Sequence, residues 1–219
     1  MPDSELIGNE FPFTPRPAES EEQVQGARVQ LRLATCNVLS LCGTRDEQEC
    51  GINGPARQQI ILQQAAEERI AILALQETRI KRLHQLHSED YFLYKSNATE
   101  KGHYDIIIGF AKSVPYAVCN KQPCYFKQSD FSVIHTDPRA LIIRISAQAL
   151  KCIVIAGHAP HTGNSLDDLH AWWLTLAGHI PKVYDSWPKV LLCDANASVG
   201  HSISDHIGGH QSGTFEAKA

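Results

Sequence analysis

The chain has 219 residues, 43% of them hydrophobic, which is enough for one domain with a sizeable core and too little for two. A formal charge of −4 and a pI near 6.2 exclude a protein that holds nucleic acid by bulk positive charge, so any such contact has to be local or carried by a cation. The acidic, polar start lacks a secretory pattern, no apolar run approaches the ~18 residues of a membrane span, and seven scattered cysteines read as reduced thiols. An intracellular protein is expected, nuclear or cytoplasmic, without a membrane partner.

Residues 1–28 hold Pro2, Pro12, Pro15, Pro17 and the run Glu19-Ser20-Glu21-Glu22, which predicts a disordered acidic leader before one domain over 29–219. That domain is expected to open near Val29 with a strand to Asn37. Residues 41–55, with Gly43, Gly51, Asn53 and Gly54, predict a loop. Gly54-Pro55 then starts a helix in which Ile60, Ile61, Leu62, Ala65, Ala66 and Ile70 fall near helical spacing. From Ile70 to Leu75 every residue is apolar, as in a strand covered on both faces, and Gln76-Glu77 follow with no turn residue between. Strand, helix, strand makes a βαβ unit.

Between 80 and 150 the pattern becomes short β-like runs at 91–94, 106–110, 131–135 and 141–145, which predict an antiparallel meander in a mixed sheet. A buried-looking strand from Cys152 to Gly157 ends in His158-Ala159-Pro160-His161. Ser165 and Asp168 have capping-box spacing ahead of a helical stripe of Leu166, Leu169, Trp172, Trp173, Leu176 and Ile180. At that spacing Trp172 and Trp173 read as core packing rather than as a platform for bases. Pro181 and Pro188 bracket the entry to a strand at 190–193 that ends in Asp194-Ala195-Asn196. No apolar run follows, so the sheet is expected to lack its closing strands.

Four apolar strands thus deliver Asn37, Glu77, His158 and Asp194 at their ends. A carboxylate at the edge of a buried strand is costly unless a metal ion or a cationic side chain faces it. Glu77 is the first choice to hold Mg2+, with Asn37 beside it as a neutral oxygen donor and Mn2+ as the substitute ion. Hydrolysis of a phosphodiester also needs an oriented water, a proton donor and groups for the phosphoryl oxygens. Asp194 would orient or deprotonate the water with Asn196 fixing it, His158 would give the proton, and His161 would bond a phosphoryl oxygen. Taken singly, each has a plainer explanation: Glu77 a pair with Arg79 or a helix cap, Asn37 a turn, Asp194 and Asn196 local Asx bonds, and the histidines ordinary loop positions.

In this order, Thr35-Cys36-Asn37-Val38, Leu75-Gln76-Glu77-Thr78-Arg79, His158-Ala159-Pro160-His161 and Asp194-Ala195-Asn196 resemble the endonuclease/exonuclease/phosphatase superfamily, the deoxyribonuclease I-like fold. Within it the likeness is to the apurinic-type endonuclease domains of non-LTR retrotransposons, from about Val29 onward. The resemblance implies an α/β (α+β) domain of two packed mixed β-sheets flanked by helices, a four-layer sandwich. It also implies a Mg2+-dependent phosphodiesterase site lined by Asn37, Glu77, Asp194 and Asn196, DNA as substrate of a nicking endonuclease, and a reverse-transcriptase domain in a longer polyprotein. His158 falls where some relatives carry a catalytic His and others a Tyr.

The sequence departs from that family in three ways. Leu39 stands where many relatives have a carboxylate. Ser204-Asp205-His206 matches the family's terminal motif but follows Asp194 by only ten residues, with no strand between, and reads as coincidence. The domain is therefore expected to be C-terminally incomplete. The alternatives are a phosphatase of the same superfamily and a catalytically dead remnant that persists as a binding or scaffold domain. Cys119 with Cys124, and the loop cluster His201, His206 and His210, hold zinc-type ligands, but neither spacing makes a closed site.

Overall fold

The computed structural model describes residues 27–41, 54–80, 88–96, 104–161 and 163–196. The leader, the loop before Gly54 and the residues from 197 onward, with Ser204-Asp205-His206 and the histidine cluster, lie outside the described residues. In chain order the elements are β1 (Arg28–Val29), β2 (Leu33–Asn37), α1 (Gly54–Glu67), β3 (Ile72–Gln76), β4 (Tyr91–Lys95), β5 (Ile106–Ala111), β6 (Ala117–Cys119), β7 (Gln122–Cys124), β8 (Phe131–Asp137), β9 (Ala140–Ala147), β10 (Leu150–His158), α2 (Leu166–Gly178) and β11 (Lys189–Asp194).

Two four-stranded mixed sheets, ordered β2-β3-β5-β4 and β11-β10-β9-β8, share one core, and a small sheet, β1-β6-β7, adjoins them. Alternation along the strands explains how the second sheet serves two layers. Leu141, Ile143, Ile145, Cys152, Val154 and Ala156 enter the core shared with Ile72, Ile106, Ile108 and Phe110 of the first sheet. Their alternates Ile142, Ile153 and Ile155 point the other way, against Leu176 of α2, with Trp172, Trp173 and Ile180 packed around them. Trp172 and Trp173 are partly buried and pack against this second core, the role their spacing predicts. Ser165 caps α2 as expected, its Oγ accepting from the Asp168 amide at 3.1 Å. Leu62 and Ala65 of α1 are buried in the shared core.

Each sheet carries one parallel pair, β2 with β3 and β10 with β11. Parallel neighbours need a crossover, and α1 and α2 supply them. Both βαβ units therefore point the carboxyl ends of their strands the same way relative to their own sheet.

Three expectations are corrected. The strand expected from Val29 to Asn37 is two, because the chain leaves the small sheet after Val29 and joins β3 only from Leu33. The expected meander is divided between sheets, with β4 and β5 completing the first and β8 and β9 opening the second. Adjacent runs do pair antiparallel, but which sheet a pair joins depends on contacts distant in sequence. Finally, the apolar strands that deliver Asn37 and Asp194, β2 and β11, lie at the sheet edges, with Leu33 40% and Leu191 50% exposed. Among the described residues no helix is long and apolar enough to cross a membrane.

The sheets are tied at the site end by Gln76, which is fully buried. Its Nε2 donates to Thr35 Oγ1 of β2 at 2.9 Å and to the Leu192 carbonyl of β11, in the opposite sheet, at 3.3 Å. Removing a buried partner leaves the others unsatisfied, at about 1–3 kcal/mol. Gln76→Ala is expected to lower stability by roughly that amount, read from the urea midpoint at unchanged slope.

Candidate active site

Register brings the polar strand ends together. In the first sheet Asn37 lies beside Gln76, so Glu77 is the next residue out; in the second, His158 lies beside Asp194. Asn37 sits between the two sheets' carboxylates, its Nδ2 donating to Glu77 Oε1 at 2.9 Å and to Asp194 Oδ2 at 2.8 Å. Its Oδ1 accepts from the Leu39 amide at 2.9 Å. His158 Nε2 is 3.4 Å from Glu77 Oε1 and 3.8 Å from Asp194 Oδ2. Asn196 turns back on the same group: its amide donates to Asp194 Oδ1 at 3.0 Å and its Nδ2 to the Ala159 carbonyl at 2.7 Å.

A pocket of about 210 Å³ opens over this cluster, lined among others by Glu77, His158, His161 and Asn196. His161 Nδ1 accepts from the Gly163 amide at 3.0 Å, which places the ring proton of the neutral imidazole on Nε2. A Cβ at Gly163 would lie 2.8 Å from His161 Cε1, so a larger residue there would push the imidazole aside. All six residues expected at the site therefore meet in one place.

Three further residues shape it. Arg139, in the turn between β8 and β9, lines the pocket, donates from Nη1 to the His158 carbonyl at 3.2 Å, and lies 4.0 Å over the Tyr104 ring. Tyr104 in turn meets the His158 ring at 5.6 Å between centroids. The third is Asp105, fully buried one residue before β5. It accepts from the Arg79 amide and, at 2.9 Å, from the Ile80 amide, and pairs with the buried ammonium of Lys95 at 3.1 Å. The signal for it is the one that marks Glu77, a carboxylate against an apolar strand, but at the strand's amino end.

Asp105 matters because the segment it holds is strained. Glu77 and Arg79 have φ of 56° and 54°, and Leu39, Tyr104 and Asn196 around the same site have φ of 56°, 64° and 47°. For non-glycine residues this left-handed region costs about 1–2 kcal/mol each. Such backbone persists only where surrounding bonds impose it, and it clusters at functional sites.

The electrostatics keep the carboxylate charged and the imidazole neutral. Burial alone would raise the pKa of Glu77, but hydrogen bonds from Asn37 and Arg79 and the charges of His158 and Arg79 outweigh it and hold the carboxyl below its ordinary 4.5. Arg79 Nη2 lies 2.8 Å from Glu77 Oε2, so the alternative partner foreseen for Glu77 is present as well. Burial pushes His158 below its ordinary 6.5, with Arg139 acting in the same sense and Glu77 and Asp194 opposing it. At neutral pH His158 thus enters the site as a hydrogen-bonding group rather than a store of acid. Its Nδ1 is buried without a hydrogen-bond partner among the described residues.

The donor set fits a hard divalent cation. Glu77 and Asp194 offer carboxylate oxygens on either side of Asn37 Nδ2, partly exposed at 15% and 23%. A neutral His158 adds no repulsion.

The fold is similar to that of solved structures. The crystal structure of humanized D. rerio TDP2 matches with a TM-score of 0.52 at 15% identity, over 77% of this chain and 63% of that one. The endonuclease domain of TRAS1, a telomere-specific non-LTR retrotransposon, gives 0.47 at 13% identity over 77% and 62%. An endonuclease/exonuclease/phosphatase family protein from Bacteroides thetaiotaomicron gives 0.48 at 14% over 78% and 65%. At these identities the likeness concerns the fold alone, and the chain spans under two thirds of the length of each of these structures. No protein-family model matches the sequence. No curated protein matches it either.

Asp105→Ala would leave Lys95 buried without a counter-charge and two amides unpaired, and is expected to cost about 3–5 kcal/mol by chemical denaturation. The lowered pKa of His158 sets a sign for pH. Below 6.5 the unfolded chain takes up a proton that folded His158 refuses, so this contribution is complete above 6.5 and is lost as pH falls through that window. Denaturant midpoints measured from pH 7.5 to 5 should decline in wild type and decline less in His158→Gln.

Proposed function

We propose that the chain is a Mg2+-dependent phosphodiester hydrolase, with DNA as its substrate in the manner of a nicking endonuclease. The observation that carries this is the convergence of Asn37, Glu77, His158, Asp194 and Asn196 from four strands of two sheets into one bonded cluster, of which Glu77, His158 and Asn196 line a pocket. Arg139 and His161 give that pocket a positive and hydrogen-bonding wall suited to a phosphate, within a chain whose overall charge is negative. Glu77 would hold the cation, with Mn2+ able to replace Mg2+. When bound, the cation supplies neutralisation of charge on the phosphoryl oxygens.

The remaining work falls to the chain's own groups. Asp194, with Oδ1 fixed by the Asn196 amide, orients the attacking water and accepts its proton. Asn37 holds the two carboxylates at a set separation. His158 and His161 donate hydrogen bonds from Nε2 to phosphoryl oxygens, and Arg139 offsets their charge. The P–O bond opposite the water breaks, and the leaving oxygen takes a proton from solvent at the open side of the pocket.

Full-length protein is expected to nick supercoiled plasmid in Mg2+ and not in chelator, with Glu77→Ala and Asp194→Ala each reducing the rate at least ~100-fold. Equal nicking by wild type and both variants would overturn the assignment. A folded wild-type chain that nicks nothing but hydrolyses a phosphomonoester would move the substrate to the phosphatase side, and one that does neither would favour a binding domain. The nicking rate should also fall once the pH passes below the lowered pKa of folded His158, where the imidazole becomes charged and repels the cation, and this acid limb should be absent from the residual activity of His158→Gln.

A further inference from the structure

A second constellation lies outside the site just described. His135 and Asp137, at the end of β8, and His179, just past α2, bring two imidazole nitrogens and a carboxylate oxygen within 4.8 Å of one another, and all three residues are half-buried. We infer that these three side chains form a binding site for a borderline divalent ion, Zn2+ or a similar transition metal, which clips the end of α2 to the β8–β9 turn. The inference does not rest on the hydrolase assignment.

Local structure builds the triad. Residues two apart on a strand share a face, so His135 and Asp137 project together, and a register shift between Val133 and His135 re-aims this end of β8. Their side chains already meet, His135 Nε2 lying 2.7 Å from Asp137 Oδ2. Asp137 is held for the task by its other oxygen, since Oδ1 accepts from the Arg139 amide at 2.7 Å. A metal ligand whose second atom is fixed by an outer bond is pre-oriented. His179 completes the set from the other element, its ring stacked on that of His135 at 3.5 Å and 10°.

Burial and the neighbouring His135 lower the pKa of His179 against the pull of Asp137, so its lone pair is available at neutral pH. Zinc binds nitrogen at about 2.0–2.1 Å, so two nitrogens on one tetrahedral ion stand about 3.3 Å apart. The rings have to tilt out of their parallel stack to aim both lone pairs at one ion, which partly exposed side chains can do. Two imidazoles favour zinc, nickel or copper over Mg2+, which separates this site from the oxygen-only set at Glu77 and Asp194. A cavity of about 310 Å³, lined by Asp137, Arg139, Trp172, Leu176 and His179, opens beside the triad and leaves room for water as the fourth ligand. Arg139 lines this cavity and the catalytic pocket alike, so an ion here would stiffen the turn that carries it.

The test is calorimetric titration of the full chain with Zn2+ alone, run on wild type, Glu77→Ala, His135→Gln, His179→Gln and Asp137→Asn, each first shown to melt cooperatively. One ion should bind wild type and Glu77→Ala alike. Each substitution in the triad should remove that ion or weaken it by at least about tenfold, the lower bound seen even for outer partners of metal ligands. Zn2+ should also raise the melting temperature of wild type and not of His179→Gln. Failure of wild type to bind Zn2+, or binding that survives unchanged in the triad variants, places any ion on other groups and overturns the inference. Loss of plasmid nicking with Zn2+ binding intact would bear on the hydrolase assignment alone.

Discussion

Two side-chain amides hold this site together. Asn37 donates to a carboxylate of each sheet, and Gln76, one layer deeper, donates to β2 and to the backbone of β11. Two sheets meeting through apolar faces can slide, because hydrophobic contact has no direction. Hydrogen bonds do, and a buried amide left unpaired costs about 1–3 kcal/mol, so these bonds fix the lateral position of one sheet against the other. The separation of Glu77 from Asp194 follows from that registration.

The site is also kept away from relaxed geometry. Glu77, Arg79, Tyr104 and Asn196 occupy left-handed backbone, and the Asp105–Lys95 pair clamps the segment after β3 from beneath. A buried ion pair is an inefficient source of stability, since desolvation offsets much of the attraction. Its value here is directional: it supplies acceptors for consecutive amides that no sheet neighbour could reach. The strain and the clamp form one design, in which stability is spent on placing Glu77.

Charge is distributed as the chemistry requires and not as the composition suggests. A net charge of −4 would discourage a polyanion, yet Arg79 and Arg139 line the pocket that holds Glu77. A divalent cation on Glu77 would reverse the local sign. Keeping His158 neutral by burial prevents the protein from competing with that cation by its own imidazolium.

Much of this was legible in the sequence. The first βαβ unit, the cap at Ser165, the inward tryptophans and the polar ends of four strands come from local periodicity and from the cost of putting carboxylates against apolar runs. Residues within a few positions of one another decide those features. Tertiary structure decided the rest. It split the predicted meander between two sheets, turned β2 and β11 into edges, and brought in Tyr104, Asp105 and Arg139. It also joined His135 and Asp137 to His179, more than forty positions away. Periodicity records which way a side chain faces along its own element. It carries no information about which distant element lies opposite, because that depends on how whole sheets pack.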